Sequence, residues 1–304
     1  MMKDNFIELL KKYPFVYHYT KLESLFGILY DYKNLKMPEQ LPFRASCIYN
    51  VNDPREMELG YNYVKDFLPE FEKNHPQSIH LSEIYTSDVS DKKCLELCNQ
   101  KTKEVYIESG MIPYTISFSA KRDFLPMWSL YGNHCEGVCL KFNLLELIDK
   151  IHSQFGFVVY DGNSDDDYIK NDYFPPLYDF IINEENTNNL SIDQKIDELS
   201  ILCTCVSPFV KSSYYAYETE FRIVNTVRYG EITEHNIKEI IHNGLPKEMI
   251  KPFVYYSMNA NALKEIIIGP LVKNYKSIES VIRNELNGCL LNDVDITSSS
   301  ITIR

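Results

Sequence analysis

Aromatic and β-branched residues cluster in short runs along this chain, and these runs predict β-strands. Tyr17 and Tyr19 flank His18 in the first run, and Ser117 and Ser119 flank Phe118 in a later one. Such alternation places neighbouring side chains on opposite faces of a sheet. The strands expected from these patterns cover residues 15–19, 35–44 (with a loop broken by prolines), 114–119, 137–142, 155–160, 217–227, 264–268 and 293–304.

Apolar residues at helical spacing predict helices between these strands. In the first twelve residues, Phe6, Leu9 and Leu10 share one face of an amphipathic helix. Two later helices begin at capping motifs, NLLE at 143–146 and SIDQ at 191–194. The helices expected cover residues 1–12, 22–29, 56–72, 91–107, 125–131, 143–152, 191–203 and 277–284.

The order of these elements predicts a single α+β domain over residues 1–304. The chain shows no internal repeat, linker or low-complexity tract. A turn-forming stretch at residues 50–54 is followed by two polar helical segments. We therefore expect a helical insertion at about residues 56–110.

The charge of the chain argues against broad adhesion to nucleic acid. The formal net charge is −12, from 43 acidic and 31 basic residues, and non-specific binding to phosphates depends on positive charge. A local basic groove formed by Lys121, Arg122 and Lys211 stays open as an alternative. The acidic stretch at 161–172 lacks the spacing of a twelve-residue calcium loop, which favours a solvated loop.

The eight cysteines are expected to be free, buried thiols in a reducing, cytoplasmic compartment. The first twelve residues carry charges that a secretory signal would not have. The spacings of the cysteines do not match those of structural zinc sites, so no metal is expected. No apolar run is long enough to cross a membrane, so we expect no membrane partner.

Three strings carry the candidate chemistry. The first ends at Thr20, where a strand passes directly into a helix and leaves backbone amides free to meet a polar ligand. The second places the hydroxyl groups of Ser117 and Ser119 opposite Phe118. After it, Trp128 and Tyr131 lie three residues apart, so they share a helix face that could stack on a ring. His18 and these aromatic residues also fit a simpler role as packed core.

The third string is an acidic pair, Glu218 and Glu220, at the start of a predicted strand. Two carboxylates on one face repel each other, so one of them is expected to have a raised pKa. Arg222 falls on the same face and is placed to hold one carboxylate. Two interpretations remain at this point: a structural network of glutamate and arginine, or a catalytic pair.

The chain resembles known families at these positions. The run YHYTKLESLFGIL resembles the opening strand and helix of ADP-ribosyltransferases. The ordered set YHYT, NDPRE, ISFSAKRDFLPMWSLYGNHCEGVCLKF, YETEFRI and LKEIIIGP is similar to a bacterial family, domain of unknown function 2971, from residue 17 to residue 270. The middle string also resembles the second strand and helix of poly(ADP-ribose) polymerases, and the first resembles DNA-modifying toxins of the same fold.

The resemblance implies an ADP-ribosyltransferase-like fold, with split central antiparallel or mixed sheets flanked by helices. It also implies roles at NAD: His18 would bind a ribose hydroxyl, Tyr131 would stack on nicotinamide, and Glu220 would bond the 2′-hydroxyl of the nicotinamide ribose. Glu218 corresponds to the first acid of a Glu-x-Glu pair. Tyr19 stands where a small residue is usual.

Three further residues belong to the implied site. Thr20 and Ser119 lie at the strand ends that would surround NAD, and Trp128 would lie beside the stacking tyrosine. The middle position of the triad, often tyrosine, is Ser117 or Phe118 in this chain, and the sequence does not decide which one takes its place.

The implied activity is an NAD-dependent mono-ADP-ribosyltransferase, acting as a toxin or anti-phage defence effector in a toxin–antitoxin manner. The acceptor is a macromolecule, either protein or nucleic acid, and an antitoxin or regulator protein is an expected partner. Three alternatives stay open: an NAD glycohydrolase, a catalytically inactive module that binds a nucleotide or a partner, and a metal-dependent nuclease that uses Glu218, Glu220 and Asp53.

Overall fold

The structure is a computed structural model that describes residues 4–34, 37–48, 56–75, 80–86, 111–149, 151–161, 168–183, 190–228 and 253–303. Within these residues the α-helices are α1 (Asp4–Lys12), α2 (Leu22–Asn34), α3 (Glu56–Lys73), α4 (Leu125–Leu130), α5 (Leu144–Ile148), α6 (Phe174–Asn183), α7 (Ile192–Val206) and α8 (Tyr275–Leu286). The strands are β1 (Phe15–Thr20), β2 (Gln40–Cys47), β3 (Met111–Ser119), β4 (Val138–Asn143), β5 (Gln154–Phe157), β6 (Val159–Tyr160), β7 (Val210–Lys211), β8 (Glu220–Arg228), β9 (Phe253–Asn259), β10 (Leu263–Ile268) and β11 (Asp295–Ser298).

A mixed sheet of nine strands forms the centre of the α+β fold. Its order is β11-β10-β4-β1-β3-β2-β9, and β8 with β5 branches from β3. The strands pair antiparallel except for β10 and β11, which are parallel. The short strands β6 and β7 form a separate parallel pair. The expected mixed sheet flanked by helices is therefore confirmed.

Strand β3 joins two parts of this sheet and leaves a gap between them. One edge of β3 pairs along its whole length with β8. The other edge is shared, because Ser119 at its end meets Tyr17 of β1, while Tyr114 and Thr115 further back meet β2. The stretch of β3 between these contacts therefore borders an opening between β1 and β2.

The two faces of the sheet are packed differently. The main core contains Val16, Phe118, Phe142 and Phe221, all almost completely buried. A smaller apolar cluster covers the opposite face, where Trp128 of α4 packs with aromatic residues of β1. Because strands alternate between these faces, Ser117 and Ser119 of β3 and Glu220 and Arg222 of β8 lie on the side of the smaller cluster, whereas His18 of β1 lies on the side of the main core.

Most expected elements are confirmed, including the amphipathic first helix and both capping motifs. The Asn143 side chain accepts a hydrogen bond from the Glu146 amide, and Ser191 forms a full capping box with Gln194. The helix after Asn143 ends at Ile148, earlier than expected. Helix α3 confirms the helix expected at 56–72, whereas the helix expected at 91–107 lies outside the described residues.

Other expectations were wrong or incomplete. The expected strand at 155–160 consists of two strands, β5 and β6, which pair with different partners. The strand expected from residue 217 begins at Glu220, since a 3-10 helix occupies Ser213–Glu218. Helix α6 and strand β9 were not predicted. The turn at 50–54 and the acidic residues 162–167 lie outside the described part of the chain.

Two simpler expectations can be compared with the structure. No helix in the described ranges is long and apolar enough to cross a membrane. The six cysteines among the described residues are free thiols: Cys47, Cys135, Cys139, Cys203, Cys205 and Cys289.

Candidate functional site

A cavity of about 260 Å³ lies where the sheet opens beside β3. Strands β1, β2, β3 and β8 contribute to its walls, and helix α4 with the residue that follows it covers one side. The register places Tyr17, Ser119 and Glu220 in one row across three strands, so their side chains share a face. The lining residues are Tyr17, His18, Tyr19, Arg44, Ser46, Thr115, Ile116, Ser117, Phe118, Ser119, Met127, Tyr131, Lys211, Glu218, Glu220 and Arg222.

His18 occupies the gap between the two parts of the sheet. Its Nδ1 lies 3.0 Å from the carbonyl oxygen of Ser117, on the edge of β3 that has no strand partner at this point. A carbonyl oxygen only accepts, so Nδ1 carries the proton and Nε2 is left as an acceptor. Burial lowers the pKa of His18, partly offset by the bond to Ser117. The imidazole is therefore neutral near pH 7.

The rings of Phe43 and Phe118 fix the plane of the histidine. Their centroids lie 5.2 and 5.7 Å from that of His18, and both meet it edge-on. Edge-on contacts of this kind are favourable between aromatic rings. Phe118 thus turns away from its serine neighbours, as alternation predicts, and supports the imidazole from the core side.

Lys211 joins the two carboxylates of the acidic pair. Its Nζ lies 2.7 Å from Oε2 of Glu218 and 3.1 Å from Oε2 of Glu220, and all three side chains are almost completely buried. Strand β7 pairs in parallel with β6, which places Lys211 opposite Tyr160. The hydroxyl of Tyr160 accepts a hydrogen bond from the Glu220 amide at 2.9 Å, so both short strands position the pair.

Arg222 holds Glu220 in a two-pronged ion pair. The Nε and Nη2 atoms lie 2.8 and 3.0 Å from the two carboxylate oxygens, and Nη1 donates to the carbonyl of Pro208 at 2.7 Å. The expectation that Arg222 tethers one carboxylate is confirmed. Burial favours the neutral acid, but the charges of Arg222 and Lys211 outweigh it and lower the pKa of Glu220 to about 2.

Glu218 has the opposite tendency. Burial raises its pKa and the charge of Glu220 adds to this, while Lys211 and the hydroxyl of Tyr131 oppose it. The Tyr131 hydroxyl donates to Oε1 of Glu218 at 2.5 Å. The predicted asymmetry of the pair is thus present, with Glu220 the stronger acid and Glu218 the weaker one.

The backbone around Glu218 is shaped for this placement. Thr219 adopts φ 43°, a left-handed conformation that is rare for a β-branched residue. The Ser119 hydroxyl donates to the carbonyl of Glu218 at 2.5 Å, and the amide of Lys121 donates to the same hydroxyl at 3.0 Å. Ser119 is therefore a completely buried support for the turn, and Ser117 is the exposed hydroxyl of this strand.

Trp128 does not line the cavity, which corrects its expected place on a stacking surface. It is completely buried, and its indole N–H donates to Asp123 at 2.8 Å. Its ring meets Tyr19 edge-on at 5.0 Å, while the Tyr19 hydroxyl donates to the carbonyl of Lys121 and accepts from the amide of Phe124. Trp128 thus supports Tyr19, and Tyr131 alone of the expected ring pair reaches the cavity.

Thr20 and the basic residues also differ from expectation. Thr20 pairs with Val138 of β4 and is not among the lining residues. Two members of the basic groove that the sequence left open as an alternative are paired with carboxylates, since Lys211 is buried between Glu218 and Glu220 and Arg122 lies 2.8 Å from the carboxylate of Glu265.

Sequence reasoning missed several residues of the site. Arg44 and Ser46 line the cavity from β2. Lys211, which the sequence offered only as part of an alternative basic groove, lines it from β7. Both β2 residues are exposed positions that alternate with buried ones. That alternation was the available signal, but the prolines at 38 and 42 suggested a loop.

The arrangement offers a neutral imidazole acceptor, an ionised carboxylate and a second carboxylate of higher pKa around one cavity. An ionised carboxylate in a site of low dielectric stabilises positive charge that develops beside it. No group of three potential metal ligands occurs in the described part of the chain. Asp53, which the nuclease alternative requires, lies outside the described residues.

Part of the chain matches a known protein family. A family model described as "Protein of unknown function (DUF2971)" matches residues 127–223, which is 97 of the 304 residues. This stretch runs from α4 into β8 and contains Tyr131, Lys211, Glu218 and Glu220. No curated protein and no solved structure matches the chain. The half of the site that carries the acidic pair is therefore similar to that family of unknown function.

Proposed function

We propose that this chain is an NAD-dependent mono-ADP-ribosyltransferase. It breaks the bond between nicotinamide and ribose and transfers ADP-ribose to a macromolecular acceptor. The observation that carries the proposal is the meeting of His18 with Glu218 and Glu220 around one cavity, although the second acid lies 202 positions after the histidine in the sequence. The resemblance of the sequence motifs to ADP-ribosyltransferases agrees with this placement.

The electrostatics of Glu220 suit the proposed chemistry. Departure of nicotinamide leaves positive charge on the ribose, and a fixed carboxylate stabilises that charge more than it stabilises the substrate. The pKa of Glu220, about 2, keeps it ionised at neutral pH. Arg222 and Lys211 hold its position, so little reorganisation is needed during the reaction.

Glu218 is the better candidate for proton uptake from the acceptor. Its pKa is raised, mainly by burial, and a general base works best when its pKa approaches the working pH. The neutral imidazole of His18 offers Nε2 to a ribose hydroxyl. A purely structural network would also pair Glu220 with Arg222, but it gives no reason for both acids to line a cavity.

The size of the cavity limits what it holds. Small-molecule sites usually occupy about 300–1,000 Å³, so about 260 Å³ suits one ring and its sugar. We assign the cavity to the nicotinamide riboside part of NAD. The acceptor, protein or nucleic acid, and the role as a toxin or defence effector restrained by a neutralising protein follow from the resemblance, and they belong to the same proposal.

The test uses NAD that carries a label in its adenylate phosphate, and it measures both the nicotinamide released and the fate of the labelled ADP-ribose. The wild-type chain is incubated with cell extract, and the label is followed after digestion with protease or with nuclease. Label lost from high molecular weight after one of these digestions identifies the acceptor class. Label that appears only as free ADP-ribose indicates an NAD glycohydrolase.

Glu220→Gln and Glu265→Gln form a matched pair of variants. Both remove a buried carboxylate that is paired with cations on the central sheet, but Glu265 lies outside the cavity. Glu220→Gln should lower nicotinamide release about a hundredfold or more, whereas Glu265→Gln should retain it. Equal activity of both variants, or binding of NAD without any release by the wild type, would reject the enzymatic proposal.

A further inference from the structure

A cluster of one arginine and two aromatic rings adjoins the cavity on strands β2 and β9, with Arg44 and Tyr255 exposed and Phe253 half-buried. The register places Arg44 opposite Tyr255 and Ser46 opposite Phe253. Opposed residues of antiparallel strands point to the same face. Arg44 and Ser46 line the cavity, so the two rings continue its wall outward along this face.

The geometry of this cluster, Arg44 with Phe253 and Tyr255, is that of a stacking surface. The guanidinium carbon lies 4.8 Å from the centroid of Phe253 and 5.7 Å from that of Tyr255. Nη2 of Arg44 lies 3.4 Å from the Tyr255 hydroxyl. The two rings are perpendicular, with centroids 5.6 Å apart. The planar guanidinium is thereby held in place while its side chain remains exposed.

The charges around the cavity leave Arg44 as the surplus cation. Glu218 and Glu220 are matched by Lys211 and Arg222, which contact them directly. Arg44 has no carboxylate within salt-bridge distance among the residues that the structure describes. An arginine without a carboxylate partner is well suited to a phosphate.

We propose that Arg44, Phe253 and Tyr255 bind the adenosine diphosphate half of the dinucleotide. The guanidinium contacts the pyrophosphate, and an aromatic ring stacks with the adenine base, as rings do with nucleobases in other proteins. This inference rests on the proposed function, which places the nicotinamide riboside in the cavity. It also accounts for the small volume of the cavity, because the second half of the ligand lies outside it.

The test is calorimetric titration with ADP-ribose and with AMP, neither of which contains the bond to be cleaved. Arg44→Ala and Tyr255→Ala should each weaken ADP-ribose binding about tenfold or more, since each removes one charged or stacking contact. Arg44→Lys should recover only part of the affinity, because it keeps the charge but loses the fork. Tyr30→Ala removes a tyrosine of α2 that is 69% exposed, against 38% for Tyr255, and does not line the cavity, and it should bind like the wild type.

The outcomes separate this inference from the proposed function. Nicotinamide release by the wild type with unchanged ADP-ribose binding by Arg44→Ala and Tyr255→Ala would overturn the inference alone. If Arg44→Ala and Tyr255→Ala bind ADP-ribose like the wild type but no longer label nucleic acid, the cluster binds an acceptor base instead. This result would also overturn the inference. Failure of the wild type to bind ADP-ribose or AMP would overturn it as well, while nicotinamide release decides the proposed function independently.

Discussion

Replacement of Lys211 by methionine removes the cation that joins the two buried carboxylates. Methionine keeps most of the aliphatic stem, so the packing changes little and the loss is mainly one of charge. Glu220 retains its two-pronged pair with Arg222. Glu218 loses its only described cation and keeps the hydrogen bond from Tyr131.

The expected cost can be worked from this geometry. Lys211 and Glu218 are 4% and 3% exposed, so solvent does not screen their contact of 2.7 Å. Removal of one partner from a buried ion pair costs about 3–5 kcal/mol, because the other charge stays buried without compensation. We expect the free energy of unfolding of Lys211→Met to fall by about this amount at pH 8.

The cost should depend on pH in a defined direction. The pKa of Glu218 is already raised by burial, and loss of Lys211 raises it further. An acid whose pKa is raised in the folded state destabilises the protein when pH rises above the pKa of the unfolded state. This penalty grows with pH until pH exceeds the pKa of the folded state. As pH falls, Glu218 should take up a proton at a higher pH in the variant than in the wild type, which leaves a balanced pair of Glu220 and Arg222. The deficit should therefore shrink as pH falls from 8 to 5.

Urea unfolding of four proteins measures this coupling: wild type, Lys211→Met, Glu218→Gln and the double variant. The double variant should be more stable at pH 8 than Lys211→Met alone, because no unpaired charge remains. The coupling free energy should be about 2 kcal/mol or more. A deficit that is equal at pH 5 and pH 8, with additive effects in the double variant, would refute the assigned role of Lys211.

Three other predictions concern neighbouring groups. Tyr131→Phe removes the donor to Glu218 and should cost about 1–3 kcal/mol in urea unfolding; no loss would show that the bond does not form. Trp128→Phe should cost about 2–4 kcal/mol, measured by circular dichroism, since it removes buried volume and the bond to Asp123; a neutral result would contradict its buried placement. The wild type should lose about 3 kcal/mol as pH falls from 4.5 to 2, because Glu220 has a lowered pKa of about 2 and its stabilisation is lost on protonation. This part of the loss in unfolding free energy between pH 4.5 and pH 2 should be missing in Glu220→Gln.

Strands β1, β3 and β8 could be predicted because they are rich in aromatic and β-branched residues that alternate with polar ones. In β1 and β3, buried and polar positions alternate around His18 and Ser117, so the pattern of period two is clear. The placement of Arg222 beside Glu220 followed from the same alternation. These elements depend on local burial, which a sequence records directly.

Other elements depend on features that alternation does not report. Helix α6 carries Pro175 and Pro176 directly after its first residue, and these prolines suggest a break, although prolines are tolerated in a first helical turn. Strand β9 has aromatic residues on both faces and shows little alternation. The turn at Thr219 requires a left-handed residue that sequence rules assign to glycine or asparagine. Lys211 lies in the two-residue strand β7, which is too short to show alternation in the sequence.

In the proposed function, His18 and the acidic pair form one binding cavity for the nicotinamide end of NAD. Nitrogen-detected NMR of the imidazole groups, titrated with NAD, tests it most directly. His18 should be neutral at pH 6.5 with its proton on Nδ1, and its Nε2 resonance should shift on addition of NAD. His75, which bonds Phe71 on α3 outside the cavity, should not shift. An unchanged His18 resonance at saturating NAD, or a charged His18 at this pH, would contradict the account.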